Sequence, residues 1–138
     1  MSAEHPVMPA IEAELVGILQ AEADLEPTFG DRIATKLDPS PAYPFLTLHR
    51  TGGFRPVERW LVAVTVEFGV WGESGSEPEL EVAANLAESV VLGLQGAYAS
   101  AVVTGVEPVL GPRNVPDPET DRPRYLFESR VFAHPIVE

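Results

Sequence analysis

A chain of 138 residues, 45% of them hydrophobic and none of them cysteine, is read as a single domain spanning 1–138 that buries a sizeable core. It excludes disulfides, thiolate metal sites and cysteine nucleophiles. The 21 acidic residues outnumber the 9 basic ones for a formal charge of −12, which disfavours nucleic acid, because phosphate-backbone affinity comes from Lys and Arg. No apolar run approaches the ~18 residues of a membrane span, and "MSAEHPVMPA" lacks the basic and apolar regions of a signal peptide, so the expected site of synthesis and folding is the cytoplasm.

In chain order, "PAIEAELVGILQAEA" places Ile11, Leu15, Ile18 and Leu19 at helical spacing, predicting an amphipathic helix over residues 9–23 with Glu12, Glu14 and Glu22 on its outer side. "RIATKL" (32–37) and "FLTLHR" (45–50) read as strands separated by the proline-rich turn "DPSPAYP". After the loop "TGGFRP", residues 57–71 read as one long strand whose even positions form a core face and whose odd positions are mixed. Trp60, Val62, Val64, Val66 and Phe68 fall on a core face, and Arg59, Glu67 and Trp71 on the other. Such a strand, roughly 50 Å at ~3.3 Å per residue, should overhang its own core.

"GESGSEPEL" is a turn opening a helix, with Ser76 at the N-cap position and Glu79 at capping-box spacing. The helix is predicted to run to about Tyr98, with Leu80, Ala83, Ala84, Ala87, Val90, Val91 and Leu94 on one face. "SAVVTGVEPVL" (100–110) contains a Gly and a Pro, as a bent or edge strand does. The arm "GPRNVPDPETDRP" follows, and "RYLFESRVFAH" (124–134) is the last strand. The order α-β-β-β-α-β-β predicts an α+β two-layer sandwich, a mostly antiparallel sheet with two helices packed on one face. The uncovered face would carry Arg59, Leu61, Thr65, Glu67 and Trp71, with Arg124, Leu126, Glu128, Arg130 and Phe132 or their alternates. That mixture suits a subunit interface better than plain solvent.

Catalytic patterns are missing. His5, His49 and His134 are scattered outside metal-ligand spacing, and no GxSxG, P-loop or GxGxxG occurs. The carboxylates Glu77, Glu79 and Glu81 complement a helix dipole rather than form an acid/base pair. No cofactor, metal or enzymatic activity is expected.

The arm is the most distinctive stretch. Pro112, Pro116, Pro118 and Pro123 fix their own φ and push each preceding residue to extended geometry, so the segment should be pre-ordered and lose little entropy on binding. "VVTGVEPVLGPRNVPDPETDRPRYLFESRVFAHP", with a GPR-x-x-PDP loop before a final "RY" strand, resembles the C-terminal half of tail terminator proteins of long-tailed phages. The likeness extends to "IEAELVGILQAE", "PFLTLHRTGG" and "RWLVAVTVEFGVWGES", nearly the whole chain.

The resemblance implies a virion protein that assembles in the host cytoplasm as a homo-oligomeric ring, usually a hexamer, on the head-proximal end of the tail tube. There it would stop tube growth and offer a surface to the neck. Its implied partners are further copies of itself, the major tail tube protein and a head–tail connector or stopper protein, with DNA only passing through the channel. By position, the implied assembly contacts are Gly111, Pro112, Arg113, Pro116, Asp117, Pro118, Arg122 and Arg124. An acidic channel wall would let DNA slide without sticking, within a Debye length of roughly 8 Å at physiological salt. The alternatives are another head–tail connector or neck component and a soluble α+β ligand-binding module.

Overall fold

Alternation in one strand organises the molecule. The computed structural model describes residues 10–57, 61–94, 96–98 and 101–135. Among these, α1 spans Ile11–Gln20, α2 Glu26–Phe29, β1 Ile33–Ala34, β2 Phe45–Val57, β3 Leu61–Trp71, α3 Glu77–Leu92, β4 Gly96–Tyr98, β5 Ala101–Asn114 and β6 Arg124–Pro135. The six strands form one sheet in the order β1-β2-β3-β6-β5-β4. Only the β1–β2 pair is parallel.

Val62, Val64, Val66, Phe68 and Val70 of β3 are all buried on one face. Opposite them on β6 stand Ala133, Val131, Ser129, Phe127 and Tyr125. The rings of Phe68 and Phe127 stack at 4.7 Å and 9°, an arrangement worth about 0.5–1.5 kcal/mol beyond burial. Helix α1 packs over β1 and β2, and α3 over β3, β6 and β5. They bring Ile11, Leu15 and Leu19 from one side and Leu80, Ala84, Ala87 and Val91 from the other into the same core. The α+β two-layer architecture with helices on one face is therefore the observed one, and the β3 register is as the alternation predicted. Trp60 and Arg59 lie outside the described residues.

Several boundaries differ from the sequence reading. Helix α1 is shorter than 9–23, and a further short helix, α2, follows it. "RIATKL" contributes only Ile33 and Ala34, in parallel with Leu46 and Thr47. "TGGFRP" is no loop but the continuation of β2, with register shifts between Arg50 and Gly52 and between Phe54 and Val57. Glycine makes this possible, since a Cβ on Gly53 would stand 2.6 Å from the Ala63 carbonyl oxygen. At the first shift, the Arg50 N–H donates to the Glu12 carboxylate at 2.7 Å.

Helix α3 stops at Leu92 rather than near Tyr98, capped at Gly93, and Gly96–Tyr98 turn back to pair with Ala101–Val103. Ser76 occupies the N-cap position without a side-chain cap. Its hydroxyl donates to the Glu73 carbonyl instead, so the capping box is not made. Strand β5 continues past Leu110 to Asn114, taking the first residues of the arm into the sheet. Of the two expectations, a bent or an edge strand, the bend is observed, with three register shifts in its pairing with β6, whereas the edge of the sheet is β4, which pairs with Ala101–Val103.

The register makes a direct stability prediction. Val64→Asp should prevent folding, because an unpaired carboxylate in this core costs several kcal/mol, whereas Glu67→Ala should leave the thermal melting temperature nearly unchanged. Equal losses in a thermal melt would mean that the two faces of β3 are assigned wrongly.

Candidate assembly surface

Because the helices cover one face, the other is open. Its side chains are arranged in rows across the strands. Thr47, Gly69, Leu126 and Arg113 form one row; His49, Glu67, Glu128 and Leu110 a second; Thr65, Arg130 and Glu107 a third. Of the two sets considered for the last strand, the structure selects Arg124, Leu126, Glu128, Arg130 and Phe132 for this face.

The surface is far from a plain solvated sheet. Phe45, Ala63 and Leu126 are buried without belonging to the helix-side core. Trp71 is folded against the sheet, where its Nε1–H donates to Thr47 Oγ1 at 2.9 Å. Gly69 leaves the room: a Cβ there would lie 2.9 Å from Thr47 Oγ1 and 3.2 Å from the indole nitrogen. The Arg124 guanidinium stands 5.0 Å from the Trp71 ring centroid, a cation–π contact. Further along, Arg130 binds Glu107 at 2.7 Å and lies 5.4 Å over the Phe54 ring. Phe54 is 52% exposed and Leu110 46%. Glu67 faces Glu128 across the ladder and lies 3.5 Å from His49.

The arm is a hairpin tip rather than a polyproline loop. Val115 N–H donates to the Arg124 carbonyl and Asp117 N–H to that of Arg122, extending the β5–β6 ladder. Asp117 closes the turn: its carboxylate accepts from the Thr120 hydroxyl at 2.6 Å and from the Glu119 N–H at 3.3 Å. Its carbonyl accepts from the Asp121 N–H. Asp121 takes a positive φ of 59°, a conformation that Asp tolerates in turns. The Thr120 hydrogen bond above all, then the Glu119 N–H and the Arg124 charge, hold the Asp117 carboxyl below its ordinary value.

The residues singled out from the sequence thus separate into groups. Trp71, Arg113 and Arg124 come together where the arm leaves the sheet, with Arg113 donating to the Leu126 carbonyl at 3.4 Å and Arg124 Nε to that of Val115 at 3.0 Å. Asp117 shapes the turn, and Pro116 and Pro118 flank it, exposed. Arg122 contributes its backbone to the hairpin. Pro112 is half-buried in β5, and Gly111 approaches the other side, where a Cβ would lie 3.7 Å from Glu88 of α3. Glu67 is on the open face but apart from the arm, and Arg59 lies outside the described residues. Sequence reasoning missed Thr47, Glu107 and Phe54 as parts of this face. The Thr/His alternation in "TLH" was the available signal for the first, but Gly52 and Gly53 hid the strand that carries Phe54.

The cavities include an open cleft of about 570 Å³ lined by Ala10, Ile11, Glu12, Ala13, Thr35 and Arg50. Another, of about 210 Å³ at the start of α3, is lined by Tyr43, Pro44, Gly72 and Leu80, with Glu73, Ser76 and Glu79 at its rim. It is smaller than the usual small-molecule site. Among the described residues no His, Asp and Glu group of three is arranged to hold a metal ion, and no helix is long and apolar enough to cross a membrane.

No family model matches the chain, and no curated protein matches it. Among solved structures it is similar to a chain in the virion of a native gene transfer agent particle, with a TM-score of 0.73 at 14% identity. The match covers 91% of this chain and 95% of that one, so the two share their fold from end to end.

The turn makes its own prediction. The Asp117 carboxyl should titrate by NMR below the ordinary 3.8, and Thr120→Ala should move the midpoint back up. Since the folded value is depressed, whatever the bonded turn contributes is present above the unfolded value and fades as pH falls through the folded one. An unshifted midpoint in the wild type would contradict the turn geometry.

Proposed function

We propose that the chain is a virion structural protein, and specifically a tail terminator: a ring-forming subunit on the head-proximal end of a tail tube that stops tube growth and presents a surface for head joining. The observation that carries the virion reading is the end-to-end fold likeness to a chain of a gene transfer agent virion. Two features favour a ring. The open face is half apolar and half charged, as interfaces of assembling subunits are, and the sheet ends in a proline-stiffened hairpin tip braced at its root by Arg113 and Arg124. The partners in this reading are neighbouring copies, the major tail tube protein and a head–tail connector or stopper.

A structural role also accords with the chemistry of the surface, where the polar groups tie strands and arm together rather than converge on a cleft. Under this proposal DNA passes through the ring without specific binding, and net negative charge keeps it from adhering. A different neck component of the same fold is the second reading, since the fold likeness is to a virion chain and distinguishes no position within the particle.

Purified protein imaged by negative-stain electron microscopy should show rings with a central hole. A monomer at every concentration, also with tail tubes present, would contradict the proposal. Replacing Arg113–Glu119 by a short Gly/Ser loop should spare the fold, because exposed loops add few buried contacts. In a virion-assembly assay it should give tails of uncontrolled length or tails that fail to join heads. Normal virions from the loop-replaced protein would reduce the arm to a simple turn, and tails of correct length that lack only their heads would favour the other neck component.

A further inference from the structure

At the arm end, arginines stand on the open side of the sheet and carboxylates on the outer side of α3, the arm itself also carrying Asp117, Glu119 and Asp121. On the open side, Arg113 and Arg124 stand at the root of the arm, with Arg122 two residues further out along the hairpin, and among the described residues none of the three makes an ion pair. Arg113 and Arg124 each give one N–H to a backbone carbonyl. A guanidinium has five such donors, so most of their hydrogen-bonding capacity remains open, while Arg124 also lies over the Trp71 ring and its charge lowers the Asp117 carboxyl. On the helix side, the outer surface of α3 presents Glu79 and Glu81, both exposed and neither ion-paired among the described residues. Between and beyond them Val82 is 68% exposed, the largest exposure among the large hydrophobics described.

These patches lie at one level of the molecule. The Gly72 N–H at the foot of α3 donates to the Pro123 carbonyl at 3.1 Å, and Glu81 is close enough to Tyr125 to help raise its phenol, after burial. Tyr125 and Arg124 are successive residues of β6 and therefore point to opposite faces. The arginines and the acidic helix surface are thus back to back at the arm end of the sheet.

We propose that the arginine cluster at the arm root of one copy docks on the outer face of α3 of the next copy, around Val82. The partner is a second copy of this chain because its own α3 supplies the complementary charge and the exposed apolar centre, a charged rim around an apolar contact being the ordinary anatomy of an interface. The contact is heterologous, and heterologous contacts make rings when the rotation closes and filaments when it does not. Patches at the same height favour rotation without climb, which is the closing case. This inference rests on the ring reading and names the surfaces that make it.

The test uses the full-length chain in sedimentation velocity. Reversing the helix side (Glu79→Arg with Glu81→Arg) or the arm side (Arg122→Glu with Arg124→Glu) should each raise the concentration for half-assembly by more than about tenfold, since like charges across an interface cost several kcal/mol. Mixing the two variants should restore assembly, because each then meets a complementary neighbour. Circular dichroism melts identify any variant that fails to fold, and Arg122→Glu alone replaces the arm-side pair if Arg124 proves necessary for folding. Wild-type rings together with unchanged assembly of the helix-side variant, or folded variants that stay apart when mixed, would overturn the docking while leaving the ring intact. A wild type that never assembles would overturn both.

Discussion

The stacked rings of Phe68 and Phe127 lie at the centre of the β3–β6 pair, and the pairing they lock decides which side chains the rest of the protein can use. Because a strand alternates between faces, fixing Phe68 toward the helices also fixes Glu67, Gly69 and Trp71 away from them. Two principal helices have apolar stripes enough for one face of a six-stranded sheet. The other face has to find its own solution.

That solution combines a thin apolar layer with arginines used as braces. Leu126 and Trp71 pack around Gly69, Thr47 accepts the indole N–H, and Arg124 covers the ring while holding the carbonyl of Val115. The same residues that shelter the sheet surface thereby orient the arm. Arg130, paired with Glu107 and leaning over Phe54, repeats the device further along. Exposed ion pairs of this kind add at most about 1 kcal/mol each, so they organise the surface more than they stabilise the fold. The link from sequence to function runs through this geometry: one covered face gives the domain its stability, and one half-covered face is the surface that the proposal assigns to assembly.

The sequence disclosed the covered face well. Alternation in Val62–Phe68 and helical spacing in Ile11–Leu19 and Leu80–Val91 report burial directly, because only one side of each element meets the core. Boundaries were less legible where glycine and proline had two readings. Gly52 and Gly53 read as a turn but bring β2 against β3, and Gly93 ends a helix whose apolar spacing continues to Leu94. The prolines of the arm correctly marked an ordered segment, yet the hydrogen bonds around Asp117 that shape it depend on a hairpin pairing between Val115 and Arg124 that no local pattern records. Nor could any local pattern show that Arg113 and Arg124 would meet at the arm's root.

The central claim is that the open sheet face exists to be covered by assembly. Hydroxyl-radical footprinting of the protein, dilute and then assembled, measures this at individual side chains. The account predicts that Phe54, Leu110 and Trp71, accessible to different degrees in the isolated subunit, lose reactivity on assembly. Unchanged reactivity at all three in a demonstrably assembled sample would contradict it.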